Sequence, residues 1–95
     1  MWVDVEGATR EVLTGADGFL ANVDLVLVEV EEIPIWSAGQ WLRTDVSEYL
    51  ATHGLEPIAR DQQSRYQFNV LFVSRQRLDD PALQSAFERW RQRLV

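Results

Sequence analysis

The stretch DLVLVEVE, residues 24–31, limits what this chain can fold into more than any other part of it. Leu25, Val26, Leu27 and Val28 are apolar at four consecutive positions, so a strand here has no polar side to turn to water. A solvated antiparallel strand alternates apolar and polar residues. A run without alternation is the pattern of a parallel strand covered on both faces. Parallel neighbours are joined by crossovers, usually helices, so the flanking segments must supply helices. The expected class is α/β.

The flanks read that way. Residues 2–5, from Trp2 to Val5, form a short strand. Gly7 follows, then Ala8, Val12, Leu13 and Ala16, spaced as one face of a helix. Gly15 reads as its terminator, since glycine takes φ > 0 without penalty, and Phe19 and Leu20 pack as a second short turn. After the strand 24–31, EIPIWSAGQW is a loop, with Pro34 barring regular structure. In TDVSEYLATHG, Asp45 and Glu48 have capping-box spacing. Val46, Tyr49, Leu50 and His53 share a face, and Gly54 stops the helix. LEPIARD and YQFNVLFVS are two further strands, joined by a polar turn at 62–65 and close enough to make an antiparallel hairpin. Finally Asp80 reads as an N-cap with Pro81 at the first helical position, followed by an apolar stripe of Leu83, Phe87, Trp90 and Leu94. The order is β-α-β-α-β-β-α. The first three strands are expected to be parallel with right-handed crossovers, and the last to run back antiparallel.

Length and charge narrow the function classes. At 95 residues the chain is one domain, 1–95. Its 46% hydrophobic content is that of a folded globule. No apolar run approaches the roughly 18 residues of a membrane span, and the start has no basic n-region, so no signal peptide is expected. Without cysteine there is no disulfide and no thiolate metal site. These features point to a cytoplasmic protein with no membrane partner. The net charge of −6 argues against nucleic acid as the main partner. Arg89, Arg91 and Arg93 read as a solvated helix face.

Ligands of open α/β sheets bind beyond the carboxyl ends of the strands. Asp4 and Glu6 lie at one such end, and Glu29 and Glu31 at the end of the next strand. Four carboxylates therefore converge on one rim. Glu31 and Glu32 read as its solvated part. Trp36 and Trp41 border it through the loop, either lining a pocket or packing as a lid. His53, the single histidine, has no second histidine or cysteine to complete a zinc set. At a helix end it reads as structural, interacting with the helix dipole.

The opening segment, WVDVEGATREVLTGADGFLANVDLVLVEVE, resembles the FkbM-type methyltransferases. The matching residues are Asp4, Val5, Glu6, Gly7, Ala8, Val12, Leu13, Gly15, Ala16 and Glu29, with Thr9 where a glutamate is common. EYLATHGLEPI and NVLFVSR fit the family's closing helix and paired strands. The resemblance implies the C-terminal half of a Rossmann-like class I methyltransferase sheet, with the last strand antiparallel between the two before it. The half that would bind S-adenosylmethionine is not represented: the five glycines form no G-x-G-x-x-G-like loop. The implied activity is O-methyl transfer to a hydroxyl of a small molecule or sugar, by a portion inactive alone. Asp4 would accept the hydroxyl proton or hold a divalent cation through oxygen, the plainer reading being hydrogen bonds from the amides opening the next helix. Glu6 and Glu29 would orient the acceptor, Glu6 having helix capping as its competing role. The alternative to an enzyme is a non-catalytic remnant serving as an association module. In either case the strand 2–5 has one side bare, for self-association or for pairing with a cofactor-binding half.

Overall fold

The computed structural model describes residues 1–61, 64–82, 84–85 and 88–89. It is a mixed α/β arrangement around one four-stranded sheet. In chain order these are strand β1 (Trp2–Val3), helices α1 (Thr9–Gly15) and α2 (Asp17–Leu20), and strand β2 (Leu25–Glu31). Helix α3 (Arg43–Thr52) follows, then strands β3 (Leu55–Arg60) and β4 (Gln67–Ser74). A 3₁₀ turn over Arg75–Arg77 comes next.

Across the sheet the order is β1-β2-β4-β3. β1 and β2 are parallel, with Trp2 level with Leu27 and Val3 level with Val28. β4 lies antiparallel to both β2 and β3, so β2 and β3 run the same way. The β3–β4 register slips by one residue between Pro57 and Ala59, a bulge on the strand that carries the proline.

The core lies on one face of this sheet. Val3, Val26, Val28, Val30, Phe68, Val70 and Phe72 meet Leu13 of α1, Leu20 of α2, and Val46 and Leu50 of α3, all buried. On the other face Leu25, Leu27 and Leu71 are half-buried and Trp2 is 71% exposed. The four-residue apolar run of β2 therefore has one face fully buried among the described residues and the other only in part. It is not the evenly covered strand that the run suggests.

Three local expectations need correction. β1 ends at Val3, not Val5, because the chain turns out of the sheet: the Ala8 amide donates to the Val5 carbonyl at 3.1 Å. The two residues inside that turn, Glu6 and Gly7, have φ of +48° and +95°, the signs of a type I′ turn. Gly15 does not end α1 in the left-handed region. It is the last helical residue, Ala16 caps the helix at φ −94°, and the chain passes directly into α2. Asp45 is not the N-cap of α3. The helix starts two residues earlier, and the Asp45 carboxylate reaches back to accept from the Leu42 amide at 2.9 Å, the N3 half of a capping box.

Other local readings stand. Gly54, at φ +79°, ends α3. Asp80 caps a helical turn opening at Pro81: its carboxylate accepts from the Ala82 amide and its carbonyl from the Gln84 amide, both at 3.0 Å. The stripe residues Leu83, Phe87, Trp90 and Leu94, the arginines 91 and 93, and positions 62–63 of the hairpin turn lie outside the described residues. No described helix is long and apolar enough to cross a membrane.

Candidate functional site

The parallel register builds the acidic rim. With Val3 level with Val28, one further position sets Asp4 beside Glu29. Because side chains alternate along a strand, Asp4, Glu29 and Glu31 emerge on the face opposite the helices. Asp4 is exposed and Glu29 half-buried, and the Asp4 carboxyl lies near enough to Glu29 to act on its titration. Gln67, on the neighbouring β4, donates its side-chain amide to Glu29 Oε1 at 3.0 Å.

Crowding shows in the titration of Glu29. Burial pushes the Glu29 carboxyl above its ordinary range, and the charges of Asp4, Glu31 and Glu6 push the same way. Glu29 therefore carries a proton more readily than an isolated carboxyl does.

Glu6 takes part by charge alone. It sits in the turn at φ +48°, and α1 has no side-chain cap. Neither it nor Asp4 performs the capping role that sequence reasoning sets against a functional one.

Glu31 corrects its sequence reading. It is 3% exposed, not a solvated rim residue. Trp36 donates its indole N–H to Glu31 Oε1 at 2.8 Å, while the buried Gln40 Nε2 makes no hydrogen bond among the described residues. Burial outweighs the Trp36 bond and raises the Glu31 pKa. Gln40 in turn accepts from the Trp36 amide at 2.6 Å and the Ser37 amide at 3.2 Å. Glu32, half-buried, is ion-paired with Arg43 at the start of α3. The loop 32–42 is therefore a strap tied down at Glu31, Gln40 and Arg43.

The strap crosses the turn that carries Glu6. A Cβ built on Gly7 would lie 2.6 Å from Trp36 Cβ, so only a bare backbone fits under the tryptophan. Trp36 is thus a lid on the turn, with 45% of its surface still exposed. Trp41 instead packs on Tyr49 of α3, with ring centroids 5.1 Å apart.

A cleft of about 300 Å³ lies elsewhere, on the helix-covered side, between the start of α3 and the ends of β3 and β4. Phe68, Ile58 and Val70 line it, and the Arg60 guanidinium sits 4.4 Å from the Phe68 ring centroid. Of the acids singled out in the sequence, Glu32 lines it, whereas Asp4, Glu6, Glu29 and Glu31 do not. Its clue in the sequence was Pro57 inside a strand, which marks an irregular edge.

Among the described residues no three His, Cys, Asp or Glu side chains are arranged to hold a metal ion. Of the five glycines, Gly7 is covered by Trp36, while Gly15, Gly18, Gly39 and Gly54 have no atom within 4 Å of where a Cβ would stand. Comparison with protein-family models, curated proteins and solved structures gave no match.

Proposed function

We propose that this chain is the acceptor-side portion of an S-adenosylmethionine-dependent O-methyltransferase of FkbM type. The observation that carries the reading is the placing of the Asp4 and Glu29 carboxyls side by side toward the carboxyl ends of two adjacent parallel strands. The sheet order supports it as well, since β4 lies antiparallel between β2 and β3, the placement the resemblance implies.

In this reading a hydroxyl of a small molecule or sugar meets Asp4, the more exposed of the two, and gives its proton to that carboxylate. Glu29, held by Gln67, stands beside it and orients the acceptor. Glu6 adds a third charge beside the acceptor. Bound by another portion of polypeptide, the cofactor supplies the methyl group. The present residues position the hydroxyl, which is most of what such catalysis requires. A positioned general base contributes about 10²–10⁴-fold.

The test is co-expression of the chain with the coding sequence immediately upstream of Met1, followed by transfer of labelled methyl to hydroxyl acceptors. Transfer that falls by that factor in Asp4→Asn supports the reading. An upstream sequence without a Gly-rich strand-loop-helix, together with no transfer, overturns it.

A second reading, association without catalysis, is favoured by a different observation. Trp2 is 71% exposed beside the half-buried Leu25 and Leu27. The Leu27 amide donates to the Met1 carbonyl at 2.8 Å, so in a parallel ladder the amide and carbonyl of Trp2 itself point away from β2. They are free to pair with a second chain. Trp2→Pro removes the outward donor and leaves the β2 ladder intact. Sedimentation at high micromolar concentration would then show wild-type dimers and Trp2→Pro monomers, and a monomeric wild type would refute the reading.

A further inference from the structure

His53 closes α3, and both of its ring nitrogens face acceptors. Nε2 lies 2.7 Å from Asp17 Oδ1 at the start of α2. Nδ1 lies 3.1 Å from the Tyr49 carbonyl and 3.1 Å from Thr52 Oγ1. Thr52 has one hydroxyl proton, and it is directed to the same Tyr49 carbonyl at 2.6 Å, so its oxygen meets Nδ1 as an acceptor. Tyr49 also donates its hydroxyl to Asp17 Oδ1 at 2.9 Å, and its ring lies against the His53 ring, centroids 4.7 Å apart and planes tilted by 45°.

We propose that His53 is a pH-responsive tether, which as an imidazolium ties α2 to the last turn of α3 and loosens when it loses its proton. A neutral imidazole has one N–H. If the proton stays on Nδ1, a lone pair faces the Asp17 carboxylate. If it stays on Nε2, the Asp17 bond survives without its charge, and Nδ1 is satisfied only when Thr52 turns its proton away from Tyr49. The imidazolium alone satisfies every partner at once.

The surroundings agree. The hydrogen bond to the Tyr49 carbonyl, then the bond to Asp17 and its charge, raise the His53 pKa above its ordinary 6.5 against an opposing effect of burial. The Tyr49 and His53 bonds lower that of Asp17 below 3.8. From α2 the facing charge is Asp17, and from α3 the facing titratable group is Tyr49. Nearby Arg75, which donates to the Ala51 carbonyl at this helix end, is bound to Glu56 of β3 at 2.6 Å.

The sign follows from linkage. A raised histidine contributes stability fully present below pH 6.5 and lost as pH rises through its folded value. A lowered carboxylate contributes stability present above 3.8 and lost as pH falls through its folded value. The tether is therefore tight from below pH 3.8 to above 6.5 and slackens on the alkaline side. Its strength is screened by solvent on one side only, since the Asp17 side chain is 66% exposed and that of His53 only 16%.

With one histidine in the chain, the test is an unambiguous nuclear magnetic resonance titration. The imidazole should titrate above 6.5, with both ring nitrogens protonated below its midpoint. Asp17→Asn, at an exposed position, should move that midpoint down. Corrected for intrinsic rates, the protection of the Phe19 and Leu20 amides should fall about two- to fivefold as pH crosses the midpoint. In Asp17→Asn this fall should vanish. A midpoint at or below 6.5, a midpoint unmoved by Asp17→Asn, or α2 protection independent of the titration would each overturn the proposal.

Discussion

Replacing Gly7 by alanine probes the junction between the acidic turn and its lid. Two costs add. Gly7 stands at φ +95°, where an L side chain pays about 1–2 kcal/mol. The new methyl would also lie 2.6 Å from Trp36 Cβ, and forcing an extra carbon into a filled site costs about 1–3 kcal/mol. The sum, about 2–5 kcal/mol, is a large share of the roughly 5–15 kcal/mol that holds a domain of this size. Urea unfolding followed by circular dichroism measures it. A double-mutant cycle separates the terms. In a Trp36→Gly background the offending Cβ is gone, so Gly7→Ala should cost only the backbone share, about 1–2 kcal/mol. In a Trp36→Ala background the nearest contact remains, and little should be recovered. Equal costs of Gly7→Ala in all three backgrounds would mean that Trp36 does not sit on the turn, and a wild-type cost below about 1 kcal/mol would refute both terms.

The remaining expectations test other parts of the molecule. Leu50, fully buried between α3 and the sheet, should lose about 2–5 kcal/mol on truncation to alanine, read from the same urea curves. Glu31→Gln keeps a carbonyl oxygen for the Trp36 indole but removes a buried charge. The raised Glu31 pKa means that the wild type loses stability as pH rises above 4.5. The variant should therefore have the higher Tm at pH 7, with the gain fading below pH 4.5, and a gain independent of pH would count against burial as the cause. Asp4→Asn should lower the Glu29 midpoint by removing its closest like charge, observed by carboxyl resonance titration, and an unmoved midpoint would dissolve the pair on which the functional reading rests.

How much of this was legible in the sequence depends on the reach of each signal. Val26, Val28 and Val30 announce a buried strand face through a period of two residues. Gly54 announces a helix end through its own backbone freedom, and Asp80 with Pro81 announces a helix start through a bond spanning two residues. Such signals are local, so neighbouring residues suffice to read them. The β3–β4 hairpin was within reach because few residues separate its strands. Even at this range small errors entered where two neighbours competed for one role: Asp45 has the chemistry of a cap, but the chain entered α3 at Arg43 and left Asp45 to bond backwards to Leu42.

The arrangement of the rim was legible only as a guess that strand ends meet. Tertiary structure decided which acids are neighbours. Asp4 and Glu29 stand together because β1 runs parallel to β2 in one register, and a slip of one residue would send every side chain to the other face. The strap decided that Glu31 is buried, since Trp36 and Gln40 fold back over it, and it decided that Gly7 must stay bare. Packing of α2 against α3 decided that His53 meets Asp17, 36 positions away in the chain. By itself the sequence determined which segments become strands and helices and where most of them stop, because backbone geometry and side-chain periodicity act over a few residues. Only the tertiary structure decided which carboxylates lie side by side, which is shut away from water and which holds the histidine, because burial and the distances between charges exist only once the strands are paired and the helices are packed on them.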